Sequence, residues 1–382
     1  MNRRYPLSTR PLRLSDDLVL KNRLAFTSMG VDLADENGCA TPQMTAFYKG
    51  VIEGGCAMAF LGNATVSAGS RLQSRGLALF DDAQRLSMYA VQRMASAAGV
   101  PVAVQLQHYG GQGAVLPSGA PLLTPSGIGC SRAARQSPGY RVQAMTLEHI
   151  AQVIDEFASA AWRAWQSGAR VVQLQAANGY LLSSFLSPRF NQRTDAYGGS
   201  EENRARLLLE VIRAIRARTD NGLIVTVRLG IDDLLGDEGL QFTELEETVQ
   251  ALNQSGICAL ECSMSVGASF HRLFTPSREM DNYLHTGVKV IKGSARVPVG
   301  FAGFIDGLDK AERLLGDEVC DWVGMSRALF ADNQLINKTL QGRARDVDRC
   351  LWDGRCFSDK SDPRMSRVFC CVNPNYPRPT FN

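Results

Sequence analysis

The sequence predicts an α/β fold, a (β/α)8 TIM barrel with a short Cys-rich C-terminal extension. Three observations lead there. Eight short β-rich runs recur along the chain, and blocks with helical spacing lie between them. The chain, 382 residues of which 45% are hydrophobic, is also long enough to bury a large core.

The runs fall at 22–29 (NRLAFTSM), 56–66 (CAMAFLGNATV), 101–108 (PVAVQLQH), 170–177 (RVVQLQAA), 223–230 (LIVTVRLG), 259–265 (ALECSMS), 298–303 (PVGFAG) and 320–327 (CDWVGMSR). They are mostly apolar rather than alternating, as expected of strands covered on both faces. Ile150, Val153, Ile154, Phe157 and Ala161 follow three- and four-residue spacing, and Gly168 closes that helix. Thr243 and Glu246 form a capping-box pattern ahead of Leu245, Val249 and Leu252, with Gly256 as the stop. Blocks 81–99, 200–220 and 306–316 read as further amphipathic helices. Alternation of strand and helix requires parallel strands, because only a crossover returns the chain in the same direction. Eight such units close a barrel. A doubly wound open sheet is the rival, but no G-x-G-x-x-G follows the first strand.

Two segments fall outside simple βα units. Residues 109–144 form a long Gly/Pro/Ser-rich stretch, a kind of loop that is often functional. Beyond residue 343 periodicity gives way to Cys, Asp and Arg, so we divide the chain into a barrel, 1–345, and a Cys-rich segment, 346–382, wrapped on it.

Charge excludes several function classes. With 41 Lys+Arg against 38 Asp+Glu and no basic block, no nucleic-acid partner is expected. No run reaches the roughly 18 apolar residues of a membrane span, and the N-terminus lacks the apolar stretch of a secretory signal. A cytoplasmic location follows as an expectation, with the ten cysteines as thiols or metal ligands rather than disulfides.

In a barrel, chemistry sits at the C-terminal strand ends. The first run ends at Ser28, Met29 and Gly30, the second near Asn63, and the third at Gln105 and His108. Gln175, Asn178 and Tyr180 follow the fourth, and Arg228 stands on the fifth. Gly303 ends the seventh, and Ser326 and Arg327 end the eighth. Amide donors, one phenol and two arginines include no nucleophile paired with a base, which suits a bound cofactor oriented and polarised by the protein. The corner of the last two strands is where barrels frequently hold phosphate, and Arg327 adds charge there. Arg228 is costly to bury without an anion; it meets either a flavin edge or a core carboxylate.

Residues 146–204 contain GYLLSSFLSP, then NQRTDAYGGSEENR, accompanied by QLQH at 105–108 and VGMSRALFADNQL at 323–335. On these motifs the chain, over roughly 5–345, resembles the Old Yellow Enzyme family of FMN-dependent NAD(P)H:flavin oxidoreductases. The resemblance implies FMN with Ser28, Met29 and Gly30 along its ring and Asn63 and Gln105 at its pyrimidine edge. It further implies Arg228 at N1/O2 and Gly303, Ser326 and Arg327 on the phosphate. Tyr180 would protonate the substrate carbon, with Gln175 and Asn178 gripping a substrate carbonyl. Gln175 stands where His is common, which implies weaker polarisation and less dependence on pH. Gly30, Gly111 and Ser326 also depart from the usual residues.

The tail resembles the iron–sulfur branch that includes 2,4-dienoyl-CoA reductase and trimethylamine dehydrogenase. Its four-iron (4Fe-4S) ligands would be Cys350, Asp353, Cys356 and Cys370, with Asp353 at a normally thiolate position and Cys371 spare. Zinc, an empty vestige and a disulfide are the competing readings. The other six cysteines and the four tryptophans read as packing. His108 reads as site floor or core, and His149 as a helix start. The resulting expectation is reduction of an activated C=C bond in a small-molecule substrate, with NAD(P)H as reductant. Oxidative amine N-demethylation, or electron relay to a separate electron-transfer protein, is the alternative. Oligomeric state is left open.

Overall fold

The computed structural model describes residues 3–115, 118–358 and 368–376. Eight parallel strands close a barrel: β1 (Leu24–Phe26), β2 (Met58–Thr65), β3 (Val102–Gln107), β4 (Val171–Ala176), β5 (Ile224–Asp232), β6 (Ala259–Met264), β7 (Val299–Phe301) and β8 (Trp322–Met325). Neighbours in sequence are neighbours in the sheet, and β8 pairs with β1 to shut the ring. This is the (β/α)8 TIM barrel expected from the alternation. Every residue of β3, β4 and β6 is buried, which is why those runs carry no polar period.

The outer ring comprises α1 (Pro42–Glu53), α2 (Asp82–Ala97), α3 (Leu147–Gln166), α4 (Glu201–Arg218), α5 (Glu246–Gln254), α6 (Arg278–Ser294) and α7 (Leu308–Gly316). Short helices Arg327–Ala331 and Leu335–Leu340 follow β8. Side-chain caps set several starts: Asp81 pairs reciprocally with Gln84, Thr146 with His149, and Ser200 accepts from the Asn203 N–H. The capping box expected at Thr243 and Glu246 lies elsewhere. Gln241 and Glu244 form it across a short turn, and α5 starts at Glu246 after Leu245 with no side-chain cap. Within stretch 109–144, Leu122–Thr124 pairs with Val142–Ala144 and Ser131–Gln136 forms a helix.

Two apolar clusters divide the work. The larger joins the strands to the helices. The smaller packs Leu12, Leu14, Leu18 and Leu20 of an antiparallel hairpin (Leu12–Ser15 with Leu18–Leu20) against Ala57, Met58, Ala103, Val171, Ala259 and Trp322. Those partners lie at the starts of their strands, so the hairpin plugs the end opposite the strand C-termini. Past residue 346 the described tail lies on the barrel: Tyr376 packs on Phe47 and Phe330, and Asn373 donates to the Phe330 carbonyl at 2.6 Å. No helix among the described residues is long and apolar enough to cross a membrane.

Candidate functional site

The strand C-termini open onto a cavity. Ser28, Met29, Gly30, Asn63, Gln175, Asn178, Tyr180, Arg228, Gly303, Ser326 and Arg327 all line it. Gln105 does not: it is fully buried one layer below and meets the lining through Asn63. Gly62 explains the tight entry to Asn63, since a Cβ there would fall 1.7 Å from Ser28 Oγ.

Beneath the cavity a polar layer crosses the barrel. Asn63 Nδ2 donates to Gln105 Oε1 at 3.2 Å, Gln105 Nε2 to Gln173 Oε1 at 2.7 Å, and Gln173 Nε2 to Glu261 Oε2 at 2.8 Å. Asn63 also donates to Gln107, and Thr27 donates to Glu261. Arg228 lies 3.5 Å from Glu261 Oε1 and donates to Thr27 Oγ1 at 3.1 Å and Ser263 Oγ at 3.3 Å. Arg228 therefore has a core carboxylate, one of its two readings, and its side chain also lines the cavity. Glu261 is the principal residue that sequence reading missed. The available signal was one acid in the apolar run ALECSMS, which the register sets directly opposite Arg228 on the adjacent strand.

Tyr180 starts the short helix Leu181–Leu186 and sets its ring edge-on to Tyr109 at 5.5 Å. Burial raises its hydroxyl pKa, while the neighbouring Gln107 and the charges of Arg132 and Arg228 hold that rise back. The phenol is protonated at neutral pH. Asn178 adopts a left-handed backbone (φ 62°) and spends its amide N–H groups on Ser263 Oγ at 3.2 Å and the Met264 carbonyl at 3.0 Å. A carbonyl only accepts, which fixes the orientation of that amide. Gln175 Oε1 is buried without a partner.

Arg327 donates to the Leu273 carbonyl at 3.2 Å and lies 4.4 Å over the Trp352 ring and 5.8 Å from Phe304. Burial lowers its pKa, and the neighbouring thiols Cys350 and Cys356 work the other way. Trp352, expected to be packing only, is a wall of the cavity. His108 lies in the core: its Nδ1 accepts the Gly110 N–H at 3.1 Å, and burial lowers its pKa to about 4.

Four buried polar atoms on this lining have no hydrogen-bond partner among the described residues: Ser28 Oγ, Gln175 Oε1, Arg228 Nε and Arg327 Nη1. Orphaned groups are rare in folded interiors, and four of the thirteen such side-chain atoms among the described residues belong to the lining of this one cavity, which marks a place for a polar ligand. Donors on the ring-facing strands together with two arginines fit an FMN.

The tail differs from its expectation. Cys350, Asp353, Cys356, Cys370 and Cys371 line one small cavity with Arg327, and all ten cysteines are free of disulfides. Yet among the described residues no three His, Cys, Asp or Glu side chains are arranged to hold a metal ion. Asp353, at the second ligand position, accepts the Arg355 N–H at 3.2 Å and the Cys371 thiol, and Cys350 Sγ accepts the Trp352 N–H at 3.4 Å. The described residues bring the expected ligands to one cavity without a metal-holding arrangement. Residues 359–367 and 377–382 of this segment lie outside the described residues.

Residues 10–346 match the model of the NADH:flavin oxidoreductase / NADH oxidase family, and the chain belongs to that family. Among its relatives is an NADH oxidase of Thermoanaerobacter brockii, 28% identical over 367 residues covering 94% of this chain and 54% of that protein. A metal reductase of Desulforamulus reducens is 31% identical over 373 residues, covering 93% and 52%. The chain thus spans about half the length of these curated relatives. A structure of 2-naphthoyl-CoA reductase superposes with a TM-score of 0.87 at 22% identity, covering 97% of this chain and 57% of that one, a likeness of fold.

Proposed function

We propose that the chain is an FMN-dependent NAD(P)H oxidoreductase that reduces an activated C=C bond in a small molecule. The observation that carries this reading is the set of orphaned polar atoms on one cavity, at the strand ends where barrel chemistry resides. Bound there, FMN supplies two-electron hydride chemistry between NAD(P)H and substrate. Ser28, Met29 and Gly30 would lie along its ring, Asn63 would hold its pyrimidine edge with Gln105 bracing Asn63 from below, and Arg228 would meet N1/O2. Gly303, Ser326 and Arg327 would hold the phosphate. Gln175 polarises the substrate carbonyl. Asn178, whose N–H groups are committed to Ser263 and Met264, positions that wall. Tyr180 holds a proton at its hydroxyl and would deliver it to the substrate carbon.

Amine oxidation needs aromatic faces for a cation. Here Arg132 lies over Phe270 at 5.6 Å, and Arg327 over Trp352 and Phe304. The chain's own guanidinium groups lie over three of the six aromatic rings that line the cavity, leaving less aromatic surface for a substrate cation, which favours the alkene reading.

Reconstitution tests it. The protein is expected to bind one FMN per chain, and Arg228→Leu to weaken that binding at least tenfold by fluorescence titration. A wild-type chain that does not bind FMN, or an Arg228→Leu variant with unchanged affinity, refutes the assignment.

A further inference from the structure

We propose that Glu261 is a positioning residue that sets the reduction potential of the bound flavin by dividing the charge of Arg228 between the barrel core and the cavity. The inference rests on the FMN reading and extends it to a residue that touches neither cofactor nor substrate.

Glu261 is fully buried on β6. Its carboxylate takes one hydrogen bond from Thr27 and one from Gln173, and its cationic neighbour is Arg228, at 3.5 Å. A buried carboxylate needs such a set of donors and a counter-charge. Arg228 is held by Glu261, Thr27, Ser263 and the Ser28 carbonyl, while its Nε has no partner among the described residues and the residue lines the cavity. The cavity therefore feels an arginine backed by a carboxylate rather than a bare cation. Reduction adds negative charge to the flavin edge beside Arg228, so a carboxylate behind that arginine disfavours the reduced form. Cancelling the carboxylate must favour it.

Two substitutions read this with opposite signs. Glu261→Gln removes the charge and keeps an acceptor for Thr27. Thr27→Val removes a donor that shields the carboxylate and releases Arg228 toward it. Both are loaded with FMN, and their potentials are measured by equilibration with a reference dye, following the visible spectrum. Glu261→Gln is expected to shift the two-electron equilibrium at least tenfold toward the reduced flavin, about 30 mV higher. Thr27→Val is expected to shift it toward the oxidised form. General damage to the site would not separate the two in sign. Unchanged potential in flavin-loaded Glu261→Gln overturns the proposal. Should that variant fail to load, Thr27→Val decides: a lowered potential supports the proposal, and an unchanged or raised one overturns it. A wild-type chain that takes up no flavin overturns the FMN reading and this inference together. A loaded wild type with unresponsive variants overturns only this inference.

Discussion

Tyr180 shows how a single side chain is prepared for its role. Its backbone begins a helix, Tyr109 braces its ring, and burial raises its pKa further above neutral. Nearby arginines and Gln107 limit that effect, so the proton is held but not locked. Tyr180→Phe should leave reduction by NAD(P)H within about threefold of wild type and slow reoxidation by an enone by ~10² or more, the scale of one general acid. Stopped-flow measurement of the two half-reactions separates them. An equal loss in both would reassign Tyr180 to binding. Gln175 carries no titratable proton, so no pH step from this position is expected in the reoxidation rate.

At the scale of elements, most boundaries follow from local chemistry. Asp81, Thr146 and Ser200 start helices because their side chains satisfy first-turn N–H groups that the helix leaves unpaired. Such signals are legible in sequence, as are buried parallel strands in continuous apolar runs. What stayed hidden was set by pairing across the barrel. Glu261 matters because the register puts it beside Arg228, and Trp352 because the tail brings it under Arg327. Neither contact has a sequence-local signature. The tail cysteines were legible as a group sharing a cavity, but not the alternative partners of Asp353 and Cys350.

The loop after β5 offers a measurable element-level effect. Asp233 is buried, and its Oδ2 accepts from Ser187 Oγ at 2.6 Å and the Leu240 N–H at 3.0 Å. Burial nonetheless raises its pKa from 3.8 to about 6, against the pull of those two donors. A carboxyl with a raised folded-state pKa contributes stability below about pH 4, and that contribution is lost as pH climbs through about 6. The loss is on the order of 3 kcal/mol, because each tenfold gain in proton affinity on folding is worth about 1.4 kcal/mol. Asp233→Asn should flatten the fall in urea-unfolding free energy between pH 4 and 6. An unchanged slope would mean that another group carries it.

Across the whole molecule the barrel separates stability from chemistry by its two ends. The strand C-termini carry four orphaned polar atoms on one cavity, whereas the opposite end is closed by the apolar hairpin around Leu12, Leu14, Leu18 and Leu20. Barrel proteins in general place function at the first end and stability at the second. Leu20 is buried against strand starts, so Leu20→Ala removes apolar contact and leaves a void, at a cost of about 2–5 kcal/mol. The polar layer from Asn63 to Glu261 lies between that plug and the cavity and is anchored by strand register, not by the hairpin. The variant should therefore unfold at lower urea yet bind FMN within about threefold of wild type while folded. Calorimetric titration well below the unfolding transition tests this. A tenfold loss of affinity in the folded variant would show that the plug reaches through the polar layer, and that the two ends of the barrel are mechanically coupled.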